Sequence, residues 1–85
     1  MGTSKEDIKQ WLEEAKASGS THMIVVCDTF DWEDYPVHVS KAEDVKEIVK
    51  KYDGVNMQKV MEVYSLTENH DTQKQLSEKR SLHYD

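Results

Sequence analysis

Residues 21–39 read THMIVVCDTFDWEDYPVHV, and the fold turns on how this stretch divides. Its first part, about Thr21 to Asp28, is β-branched and apolar at consecutive positions. A strand with both faces apolar belongs in the middle of a sheet. A second strand is expected over about Tyr35 to Ser40, where Tyr35, Val37 and Val39 alternate with Pro36 and His38. Pro36 has no N–H to give to a ladder, which places this strand at an edge. The six residues from Thr29 to Asp34 are too many for a two-residue turn, so a longer loop is expected. In the simplest register Asp28 faces Tyr35, Cys27 faces Pro36 and Val25 faces His38.

A helix precedes this hairpin. Ile8, Trp11, Leu12 and Ala15 make one apolar stripe at helical spacing. Thr3 and Glu6 have the spacing of a capping box, and Gly19 suits a left-handed C-terminal cap. The spacing predicts helix over residues 4–17. A second helix follows the hairpin, over about residues 41–52. Val45, Ile48, Val49 and Tyr52 form its stripe, Ser40 and Glu43 its capping box, and Gly54 its end. The segment QKVMEVYSL, about Gln58 to Leu66, reads as a third strand, given Gly54 before it and Val60, Val63 and Tyr64 within it.

The order α-β-β-α-β, with a possible C-terminal helix, predicts an α+β two-layer sandwich. Its three-stranded mixed sheet takes the order 2-1-3, with strand three antiparallel to strand one. Strand two, the second helix and strand three form a right-handed crossover. Residues 1–66 are expected to make a single domain. Residues 67–85 are a polar segment whose anchors are Leu76, Leu82 and Tyr84. One sheet face collects Ile24, Val26, Tyr35, Val37, Val39, Met61 and Val63, and both helices are expected to cover it. The other collects Met23, Val25, Cys27, Pro36, His38, Val60, Glu62 and Tyr64. It awaits a cover from the C-terminal segment or from another molecule.

The chain has 85 residues, 36% of them hydrophobic, and a net charge of −6. That charge disfavours nucleic acid and anionic membrane, which need clustered Lys and Arg. No apolar run reaches the roughly 20 residues of a membrane span. Cys27 is the only cysteine, so no internal disulfide forms and a cytoplasmic setting is expected.

The loop offers the first candidate site. Asp28, Asp31, Glu33 and Asp34 fall within seven residues around Phe30 and Trp32. Carboxylates suit calcium or magnesium, but the loop lacks the glycine and the D-x-[DN]-x-[DN]-G order of an ion-binding loop. A turn built on Asx hydrogen bonds is the stronger reading. Aromatic side chains rimmed by acids also have the make-up of a protein contact patch. The second candidate is a cluster on the mixed sheet face. There the expected register makes Cys27 and His38 diagonal neighbours, with Glu62 and Tyr64 beside them and Arg80 within reach of Glu62. A nucleophilic thiol needs such a base, yet no oxyanion hole or third triad member is visible. The four histidines, His22, His38, His70 and His83, have no metal-ligand spacing, and no cofactor is expected.

At THMIVVCDTFDWEDYPVHV and VNMQKVMEVYSL the sequence resembles a family of small uncharacterised bacterial and phage proteins. The resemblance runs from the first helix to the Arg80 region. It brings no activity, cofactor or catalytic residue, and it implies a stand-alone accessory protein. The expectation is therefore a small, non-catalytic macromolecular interaction module, bound to another protein or to itself. The alternative is a small enzyme or ligand binder using Cys27, His38, Glu62 and Tyr64.

Overall fold

The computed structural model describes residues 4–66, 72–77 and 82–84. Helix α1 spans Lys5–Ala17. The Ser4 hydroxyl accepts from the Asp7 N–H at 3.2 Å, and the Asp7 carboxylate accepts from the Ser4 N–H at 3.4 Å. The box is thus shifted one residue from the expected pair, and Thr3 lies outside the described residues. The helix ends at Ser18, and Gly19 follows at φ +78°, the left-handed conformation expected of it.

Strand β1 is His22–Asp28, β2 is Glu33–Val39 and β3 is Gln58–Ser65, in the sheet order β2-β1-β3. The α+β class, the element order and the central place of β1 are as the sequence implies. Both ladders are antiparallel, so the sheet is antiparallel throughout and not mixed. The parallel directions of β2 and β3 follow because each opposes β1 from its own side.

Two register details differ from expectation. Asp28 pairs with Glu33, Cys27 with Asp34, Val25 with Pro36 and Met23 with His38. The loop is only Thr29 to Trp32, because Trp32 takes φ +59° and its N–H closes on the Asp28 carbonyl at 2.7 Å. Strand β2 therefore begins two residues early. The second difference lies in β3. Val25 pairs with Glu62 but Val26 with Val60, so Met61 is an extra residue at a bulge. The bulge turns Val60 to the Ile24 face and leaves Met61 exposed, the reverse of the expected phase.

Helix α2 is Val45–Tyr52, starting later than residue 41. Its cap is Asp44, whose carboxylate accepts from the Lys46 N–H at 3.1 Å. Ser40 and Glu43 do bond reciprocally, but as a closed turn ahead of the helix. Those bonds hold the Glu43 carboxyl below its usual range. Cap-type spacing can close a free turn as well as a helix end, which is why it misplaced this start.

The helices take opposite faces, so the two-layer arrangement becomes helix, sheet, helix. Val45 and Ile48 of α2 pack with Ile24, Val26, Val39, Val60 and Val63. Ile8, Leu12 and Ala15 of α1 pack with Met23, Val25 and Tyr64. The second face, expected to await the tail, is thus covered mainly by α1. Helix α3, Thr72–Ser77, adds Leu76 to that side, and the Lys5 ammonium donates to the Leu76 carbonyl.

Beyond α3 the chain reaches the outer edge of β3. Leu82 bridges Val63 in parallel, and the His83 N–H donates to the Val63 carbonyl at 2.9 Å. Tyr84 then packs on the α2 face. Gln75 is buried and pairs twice with Ser65: it accepts from the Ser65 N–H at 2.8 Å and donates to the Ser65 carbonyl at 2.9 Å. A side-chain amide so placed imitates one more rung of ladder and blunts an edge that would otherwise invite pairing. The expected Arg80–Glu62 pair and His70 lie outside the described residues.

Candidate functional site

The β1–β2 loop and the α2–β3 loop meet at one end of the sheet. The Thr29 N–H and hydroxyl both donate to the Met57 carbonyl, at 2.7 and 2.6 Å. The two loops are thereby clasped. Below them the Gln58 amide donates to the Tyr35 hydroxyl across β1. Burial, then the neighbouring Tyr52, pushes the Tyr35 phenol above its ordinary value, so it stays protonated as a hydrogen-bonding group.

Within the first loop the acids have structural duties. The Asp28 carboxylate accepts from the Phe30 N–H at 2.9 Å, and the Asp31 carboxylate accepts from the Glu33 N–H at 3.2 Å. These are Asx turns, and they hold the chain in its short reversal. In the second loop Asp53 accepts from the Val60 N–H at 3.2 Å, and the Gly54 N–H donates to the Gln58 carbonyl at 2.8 Å.

Four apolar side chains stand out from this clasp. Phe30 is 77% exposed, Trp32 63%, Met57 59% and Val55 40%. Three non-glycine residues here have left-handed backbone: Trp32 at φ +59°, Asn56 at +53° and Met57 at +61°. Each conformation costs folding free energy on the order of 1 kcal/mol. The fold therefore holds large apolar groups in solvent on a strained backbone, braced by its own hydrogen bonds.

Asp28, Asp31, Glu33 and Asp34 flank Phe30 and Trp32 in the chain, and no Lys or Arg occurs from Asp28 to Ser40. Lys41 follows that stretch at once, Lys50 and Lys51 stand in the last turn of α2 just before the second loop, and Lys59 pairs with Cys27 in the ladder just after it. Sequence reasoning found Phe30 and Trp32 but missed Val55 and Met57. Neither has a local motif, and only the clasp brings them to the loop.

The other candidate cluster comes apart. Cys27 and His38 share a face, but Cys27 lies opposite Asp34 while His38 lies opposite Met23. Four residues of strand, about 13 Å, separate them. The expected diagonal contact fails because the short loop shifts the register by two residues. Burial, with the adjacent Asp34 carboxylate and the charges of Asp28 and Asp31, pushes the Cys27 thiol up, away from the thiolate that attack requires. Glu62 and Tyr64 do meet: the Tyr64 hydroxyl donates to the Glu62 carboxylate at 2.8 Å. Tyr64 is buried under α1, so this bond ties core to rim. His38 is exposed on β2.

His22 is buried at the start of β1, far along the sheet from the loops, with its Nδ1 3.0 Å from the Thr21 hydroxyl. Among the described residues no three of His, Cys, Asp and Glu are placed to share a metal ion. A concavity of about 490 Å³ runs along α1, lined by Glu6, Asp7, Lys9, Gln10 and Glu13. Those positions are solvent-facing on one helix, and the groove lacks the apolar walls of a ligand pocket. Among the described residues no helix is long and apolar enough to cross a membrane. In comparisons with known proteins, no family model, no curated protein and no solved structure matches this chain.

Proposed function

We propose that this chain is a small non-catalytic interaction module of the cytoplasm. It contacts another macromolecule through the clasped loops that carry Phe30, Trp32, Val55 and Met57. The observation that carries the reading is the pairing of exposure with strain. An exposed aromatic on a floppy loop needs no explanation, since scattered surface hydrophobes are ordinary. Two loops bonded to each other, with left-handed backbone at Trp32 and Met57, present a preorganised apolar surface. Preorganisation lowers the entropy lost on association. Large rigid aromatics are also the side chains that dominate interface energetics. A cytoplasmic setting fits the lone Cys27 thiol.

The test uses the full chain and a Phe30→Ser/Trp32→Ser variant. Both should melt at nearly the same temperature. Immobilised wild type should retain a component from a cell extract that the variant releases. Identical retention by two equally folded proteins would remove the basis for the reading.

A further inference from the structure

The occupant of the clasped loops can be narrowed by charge, and this inference rests on the interaction reading above. We infer that the surface receives a basic peptide segment of a partner protein, one in which Lys or Arg flanks an aromatic or aliphatic anchor. Three features argue for this class.

The apolar centre is built for adaptable contact. Phe30 and Trp32 offer flat rings, and Met57 offers a flexible thioether that can fit several side-chain shapes. The two loops themselves carry charge of one sign. Asp28, Asp31, Glu33 and Asp34 surround the rings in the chain, Asp53 lies on the facing loop, and neither loop contains a base. Asp28 and Asp31 spend one oxygen each on the loop backbone, yet the charge remains to attract a cation. The two parts also work together, since a guanidinium or ammonium over an exposed indole or phenyl ring gains cation–π attraction while its flank meets a carboxylate.

The same charges disfavour the other occupants. A second copy would bring one acidic rim against another, on chains that each carry −6. Phosphate-rich surfaces, whether nucleic acid or membrane, would be repelled in the same way.

The probe is a random linear peptide library displayed on phage and selected on the full wild-type chain. Selected peptides should be enriched in Lys or Arg next to an apolar anchor. Their affinity should fall about tenfold or more in Phe30→Ser/Trp32→Ser, corresponding to the loss of one hot spot. It should fall several-fold in Asp31→Asn/Glu33→Gln, which keeps the Asp31 acceptor but removes two charges. It should also weaken as salt rises to about 0.3 M, where the Debye length is short. Enrichment of acidic or uncharged peptides that still need Phe30 and Trp32 would overturn the basic occupant and leave the interaction surface standing. Peptides that bind the Phe30→Ser/Trp32→Ser variant as well as wild type, or a selection yielding none that depends on those residues, would overturn both. A concentration-dependent dimer abolished in that variant would make a second copy the occupant, against the inference.

Discussion

The two ends of the central strand handle their surroundings in opposite ways. At the start of β1 the chain closes on itself. The Thr21 N–H donates to the Val39 carbonyl, the Leu66 N–H donates to the Thr21 carbonyl, and Val39 and Ser65 have no exposed surface. At the far end the backbone is equally well bonded, through Thr29 and Met57, but the side chains point away from the core. Hydrogen bonding alone thus does not tell a structural end from a functional one. The destination of the large apolar groups does. One end spends its apolar groups on the fold, and the other withholds them from it.

The contrast can be broken by mutation, and the largest effect should fall in the closed region. Leu12 of α1 is 2% exposed in the Met23/Val25/Tyr64 cluster. Leu12→Ala should cost about 2–5 kcal/mol in urea unfolding, through lost burial and a residual cavity. Trp32→Ser, removing a larger side chain, should stay within about 0.5 kcal/mol of wild type. If Trp32→Ser matched Leu12→Ala, the open end would belong to the core after all.

The next effect tests the edge of β3. Gln75→Ala removes two bonds to the Ser65 backbone in a buried setting. It should cost about 2 kcal/mol or more, well above the net worth of an exposed hydrogen bond. Faster amide exchange at Ser65 should accompany it. A near-neutral result would mean that the amide is not what seals this edge.

A smaller effect of opposite sign is expected at the open end. Met57→Gly relieves left-handed backbone at φ +61° and should raise stability by up to about 1 kcal/mol. It should weaken peptide binding at the same time, because it deletes one of the contact side chains. Lower stability in this variant would show that Met57 packs in a way that its exposure does not suggest.

The smallest effect concerns pH. The Cys27 thiol is raised in the folded state, so its neutral form is favoured by folding. Between the ordinary thiol value and the raised one, the native state binds more protons than the unfolded state. Stability should therefore be unaffected below the ordinary thiol range and decline as pH rises through it. Cys27→Ser should flatten that decline. Alkylation of native Cys27 that levels off near neutral pH would instead indicate a lowered pKa and revive the enzyme reading.

Much of this architecture was legible in the sequence, and the reason is periodicity. Ile24 and Val26 against Met23 and Val25 sort correctly into two faces because side chains alternate along a strand. That sorting survived a wrong register in β2, since a shift of two residues preserves the face and changes only the neighbour. The neighbour is what chemistry needs, so the Cys27–His38 pairing was lost while the core was retained. Val60 and Met61 were misassigned because a bulge breaks the alternation and leaves no composition signal. The layer for α1 was misassigned because an amphipathic stripe says that a helix packs, not on which face of the sheet. Half of the candidate surface was visible as the acid-flanked Phe30 and Trp32. Val55 and Met57 were not, because their placement depends on a long-range bond from Thr29.

Trp32 stands in solvent on a hydrogen-bonded loop, and tryptophan fluorescence reads this directly. Trp11→Phe leaves Trp32 as the only indole, and Trp11 is merely a partly buried flank of the α1 cluster. Emission from Trp32 should be red-shifted in the free, folded protein. Acrylamide should quench that emission readily, and a selected basic peptide should shift it to the blue. Blue-shifted, poorly quenched emission in the free protein would place Trp32 inside the fold and leave no exposed aromatic surface there for a partner.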